Sequence, residues 1–97
     1  MKENIIAVLG ANYKSGDDKV IEKFINRYTS IASDKSHRKK DDELLIPYIE
    51  EAVIEAYLRR GDEGSSSSSE GGLSTSYIDI EQKLAHDVLS IRSNSRL

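Results

Sequence analysis

The chain has 97 residues, a formal net charge of −3 and a sequence pI near 5.4, and this length holds one domain, residues 1–97. Its 37% hydrophobic and 32% charged residues are a poor core supply for a free-standing enzyme; they suit a unit that completes its core against neighbours. The acidic balance argues against non-specific DNA binding, and the absence of cysteine excludes disulfides and thiolate metal sites.

The first periodic segment, around Asn4 to Leu9, holds Ile5, Ile6, Val8 and Leu9 and stops at Gly10. A helix this short is marginal without tertiary contacts. Tyr13 to Asp18 reads as a turn leading into a helix, with Ser15 or Asp17 placed to accept hydrogen bonds from first-turn amides. Ile21, Phe24, Ile25, Tyr28, Ile31 and Ala32 follow at spacings of three and four, which predicts an amphipathic helix from about Asp17 to Ser33.

Ser33 to Asp42 is polar and charged and reads as a loop. Pro47, the only proline, is best tolerated at the first helical position, so a third helix is expected near Pro47, with Asp41 to Ile46 as its entry turn. Tyr48, Ile49, Ala52, Val53, Ala56 and Tyr57 form its apolar stripe, and Ile54 and Leu58 broaden that face enough to meet more than one partner. Arg59, Arg60 and Gly61 look like its end, with basic charge on the negative helix terminus and glycine as the left-handed stop. Gly61 to Ser76 has the composition of a long Gly/Ser-rich loop. Within it, the alternation Ser74-Thr75-Ser76-Tyr77 fits a short β-strand before the last helix. That helix is expected over Ile80 to Ile91, with Asp79 as its cap. The expected fold is mainly α, a small bundle of about four helices.

The stretch from Arg60 to Tyr77 is the most specific feature: Arg-Gly-Asp-Glu-Gly, five serines, Glu-Gly-Gly-Leu and Ser-Thr-Ser-Tyr, set between two amphipathic segments. It resembles the head–tail connector (adaptor) family of long-tailed phages and prophages. Many members of that family join their last two helices through Gly-x-Glu-Gly, a serine-rich bridge, Glu-Gly and an alternating Ser-x-Ser-aromatic. Pro47 at a helix start, and a short helix followed by Asp17-Asp18 and another helix, look like the same layout. The serine bridge here is more uniform than the family's.

The resemblance implies a structural virion protein at the head–tail junction, made in the host cytoplasm, with about a dozen copies in a ring. Its partners would be copies of itself, the portal protein, a stopper or tail-completion protein, and packaged DNA passing through the lumen without sequence-specific binding. The residues expected to carry subunit contacts are Arg59, Arg60, Gly61, Glu63, Gly64, Glu70, Gly71, Gly72, Ser74, Ser76 and Tyr77, with Tyr77 as the aromatic anchor. For Arg59 and Arg60 two roles stand level: helix-end charge, or pairing with Glu63 or Glu70 of a neighbouring copy.

Candidate chemistry is sparse. His37 and His86 stand without the converging ligands a zinc site needs. The chain lacks a Gly-x-x-x-x-Gly-Lys phosphate loop and a His-Glu-x-x-His motif, and its serines have no positioned base. An enzyme, a cofactor and a resident metal are therefore not expected. The basic run His37 to Lys40 is balanced by Asp34, Asp41, Asp42 and Glu43, so it reads as a solvated loop, with portal or DNA phosphates as its functional alternative. No apolar run approaches the roughly 18 residues of a membrane span, and Met1-Lys2-Glu3-Asn4 does not read as a signal peptide. A small helical DNA-binding regulator or antitoxin is the rival reading, and a stopper or tail terminator is a second.

Overall fold

The computed structural model describes the backbone of residues 1–64 and 70–92, and the side chains of 1–60 and 77–92. Among these residues the architecture is all helical, in the order α1 (Lys2–Leu9), α2 (Asp18–Ser36), α3 (Ile46–Gly64) and α4 (Glu70–Val88). Short 3-10 turns at Gly10–Asn12, Glu43–Leu45 and Leu89–Ile91 punctuate them. α2, α3 and α4 pack on one another pairwise, and α1 lies across α2 and α3.

The core follows the sequence periodicity. Ile21, Tyr28 and Ala32 of α2 meet Ile49, Ala52, Val53 and Ala56 of α3 and Ile80, Leu84 and Val88 of α4. Ile5 and Leu9, four apart on α1, bury against the same centre, which supplies the tertiary contacts that so short a helix requires. Each fully buried aliphatic side chain contributes on the order of 2 kcal/mol through removal from water.

α2 runs to Ser36 rather than Ser33 and stops at His37, whose φ of 61° puts it in the left-handed region while its N–H donates to the Ser33 carbonyl at 3.0 Å. A helix end made by a non-glycine residue carries no composition signal, which explains the misplaced boundary. Ser36, fully buried, accepts a hydrogen bond from the Arg38 N–H at 3.3 Å. At the front of α3, the Asp42 side chain accepts from the Leu44 N–H at 2.9 Å and starts the 3-10 turn that feeds Ile46. Pro47 therefore sits one residue inside the helix, where no intrahelical donor is needed.

Three expectations for the second half are corrected. α3 does not end at Gly61 but continues through Gly64; α4 begins at Glu70 rather than near Ile80; and Ser74 to Tyr77, expected as a strand, is helical. The expected loop accordingly shrinks, and residues 65–69, its serine tract, lie outside the described residues. The physical reason is cooperativity. Once Ile80, Leu84 and Val88 fix α4 against the core, each residue added at its front gains a backbone hydrogen bond without a new nucleation cost. Weak helix formers such as Gly71, Gly72 and Ser74 are thereby carried along.

Candidate assembly surface

The residues expected to make subunit contacts are not gathered on one loop. Gly61, Glu63 and Gly64 occupy the last turn of α3, and Glu70, Gly71, Gly72, Ser74 and Ser76 occupy the first turns of α4. Arg59 lies five residues before the end of α3, on its α4 flank. Its two terminal nitrogens donate to the two carboxylate oxygens of Asp79 at 2.6 and 3.2 Å, and Glu55 lies 3.7 Å away. This forked pairing holds the Asp79 carboxyl below the usual carboxylate range. Asp79, expected as a cap, is instead a rung between two helices.

Arg60 points the other way, to 3.9 Å from Asp17. Asp17 itself makes no side-chain cap on α2; its carboxylate accepts from the Tyr57 hydroxyl at 2.6 Å, and that hydroxyl accepts from the Lys14 N–H at 3.1 Å. Tyr57 and Arg60 thus lock the turn before α2 to the second half of α3. Tyr13 donates to Asp18 close by. Both arginines therefore have acidic partners within the chain. Tyr77 is half-buried and meets Phe24 edge-on, with ring centroids 5.8 Å apart and planes at 68°, while Phe24 stacks on Tyr28 at 5.9 Å.

The basic run also divides. Arg38 is a clamp: its Nε donates to the Ile91 carbonyl at 2.5 Å, its Nη1 to Asp42 at 3.0 Å, and its own carbonyl accepts from the Ser33 hydroxyl at 2.5 Å. The Leu44 amide, and after it Arg38, keeps the Asp42 carboxyl below its ordinary range. Lys39 and Lys40 remain exposed in the turn. The charge balance of this run concealed the clamp, because nothing in sequence tells an ion pair within the turn from a contact with the far end of the chain.

Among the described residues six large apolar side chains are exposed, with Met1, Val8 and Leu44 in the first half of the chain. Leu58 is 40% exposed, Ile78 45% and Leu89 49%. Leu58 closes a shallow surface depression on α3 with Pro47, Ile54, Glu50, Glu51 and Glu55. Ile78 lies on α4, where at about 100° per residue it shares a row with Ala85 and Gln82, and Leu89 opens the 3-10 turn that follows. Among the described residues no cluster of His, Asp and Glu is arranged to hold a metal ion, and no helix is long and apolar enough to cross a membrane.

The described residues form a small helical unit braced by internal ion pairs, with exposed apolar side chains and no cluster arranged for metal chemistry. The family described as phage gp6-like head-tail connector protein matches residues 3–92, so the chain belongs to the phage head–tail connector family. That membership makes it a phage structural component. Comparison with curated proteins and with solved structures gave no match.

Proposed function

We propose that the chain is a subunit of a ring between portal and tail, where about a dozen copies extend the DNA channel and receive the stopper or tail-completion protein. The observation that carries this reading is the family match over residues 3–92, which spans all four helices. Three features support it. The chain is small and acidic, which suits a channel wall past which DNA slides. Arg38, Arg59 and Arg60 are engaged within the fold rather than arrayed for phosphate. Apolar rows remain for neighbours. The mechanism is assembly by surface complementarity.

Residues 59–77 keep a proposed part in this assembly. Arg59, Arg60 and Tyr77 would act by holding the end of α3 and the front of α4 in place, and Gly61, Glu63, Gly64, Glu70, Gly71, Gly72, Ser74 and Ser76 belong to those two helix ends. The test is removal of the gene product. Particles made without it should show DNA-filled heads and free tails by electron microscopy, and supplying the purified chain should restore joining. Normal joined particles in its absence would refute the reading.

A further inference from the structure

The segment between α1 and α2 and the second half of α3 enclose a cleft of about 280 Å³. Asn12, Lys14 and Asp17 line it from one side, Tyr57 and Arg60 from the other, and Ala11 and Leu58 supply its apolar wall. The Tyr57 lock sets its shape. That hydroxyl donates to Asp17 at 2.6 Å and accepts the Lys14 N–H at 3.1 Å, so the Lys14 backbone is pinned to α3 while its side chain stays exposed.

The cleft holds more hydrogen-bond donors than the chain uses. Among the described residues, neither the Lys14 ammonium nor the Asn12 amide has a hydrogen-bond or ion-pair partner. Arg60 has one acidic neighbour, Asp17, at 3.9 Å. That is too long for a hydrogen bond, so the charge contact keeps the guanidinium at the cleft and leaves its N–H groups unspent. Asp17 is the one carboxylate among the lining residues, and the oxygen nearest Arg60 is the one already held by Tyr57. Two cations against one carboxylate leave the cleft positive on a chain whose net charge is −3.

We infer that this cleft is a docking site for an acidic side chain of another polypeptide, with its carboxylate taken by Lys14 and Arg60 and its aliphatic stem lying against Ala11 and Leu58. Size points to that class of ligand. Pockets for small molecules start at roughly 300 Å³, so this one has room for a single side chain and little more. The planar fork of an arginine matches a carboxylate, and a lysine beside it adds a point charge. A duplex presents one phosphate per strand about every 3.4 Å and calls for an open row of cations. Here the cations sit in a concavity beside Asp17, which repels such a row of phosphates. The inference goes beyond the ring reading and does not rest on it, because every lining residue belongs to one copy of the chain.

The experiment titrates the isotope-labelled full chain, at low salt, with the end-blocked peptide Ala-Leu-Glu-Ala and with its Ala-Leu-Gln-Ala twin, read by NMR. The Glu peptide should move the Asn12 and Lys14 amide signals and the Leu58 methyls, and bind about fivefold more tightly than the Gln peptide. Lys14→Gln and Arg60→Gln should each weaken the Glu peptide by about threefold, while the signals of buried Ile21 and Val53 stay in place and show the fold intact. Should one variant disturb those core signals, the other variant and the peptide pair still decide the matter. Equal binding of the two peptides, no response to either, or wild-type affinity in an intact variant would overturn the inference. A duplex oligonucleotide that moves the same signals when the Glu peptide does not would overturn it too, in favour of a phosphate site. Each of these failures leaves the connector reading standing.

Discussion

Tyr28 is the largest fully buried side chain among the described residues. It is fully buried, stacks on Phe24, and its hydroxyl finds no hydrogen-bond partner among the described residues. A buried hydroxyl without a partner loses its water without compensation, at a cost of about 1–3 kcal/mol. Tyr28→Phe keeps the ring and removes the orphan, so it should stabilise the chain by about 1 kcal/mol and raise Tm by about 4–8 °C in a thermal melt. Burial also pushes the Tyr28 hydroxyl up to about 12 from 10.0. Because the folded value is the raised one, the group adds no pH dependence below 10.0, and stability falls as pH climbs from there toward about 12, where the unfolded chain ionises first. The wild type should therefore unfold on alkaline titration more readily than Tyr28→Phe. Equal alkaline midpoints would show that the hydroxyl is solvated. Asp42 has the opposite sign. Its folded value is depressed below 3.8, so its contribution is present above that value and fades as pH falls through and below it. Asp42→Asn should lower Tm near neutral pH, and the gap from wild type should close in strong acid.

Among whole elements, the helices were legible where apolar spacing is dense and illegible where glycine and serine dominate. Ile21 to Ala32 and Ile49 to Tyr57 mark α2 and α3, and all but the edge positions of those stripes are buried. The front of α4 was hidden, because Glu70 to Ser76 contains two glycines and two serines, and local composition there describes a linker. Its helicity comes from the anchored residues after it, which no window of local propensity senses. The proposed contact residues rest on family likeness alone, while the Tyr57–Asp17 lock and the Arg38–Ile91 clamp, which join positions 40 and 53 apart in sequence, gave no local signal. A helical Gly72 makes a prediction that a loop or strand does not. Gly72→Ala removes backbone entropy from the unfolded chain and should stabilise by about 0.5–1 kcal/mol, read from urea midpoints. No change, or a loss, would return this segment to a loop. Tyr77→Ala tests the same end of α4 through packing. With the Phe24 edge contact gone, it should cost about 2 kcal/mol before any effect on assembly appears, so an assembly defect counts only after the melt is matched.

For the molecule as a whole, stability rests on the closed faces of three helices and not on every apolar side chain. The triangle of α2, α3 and α4 is closed by its buried rows and cross-helix ion pairs, and the exposed Leu58, Ile78 and Leu89 add little to it. Charge placed on these side chains should therefore leave the fold intact. Leu58→Asp and Leu89→Asp should each cost no more than about 1 kcal/mol, much of it helix propensity. Val53→Asp probes the buried side of α3: it puts an unpaired charge in the core and should unfold the chain. Thermal melts followed by circular dichroism separate the two responses. A loss of several kcal/mol from either exposed variant, comparable to that from Val53→Asp, would show that its side chain is covered within one chain and that the core extends to it.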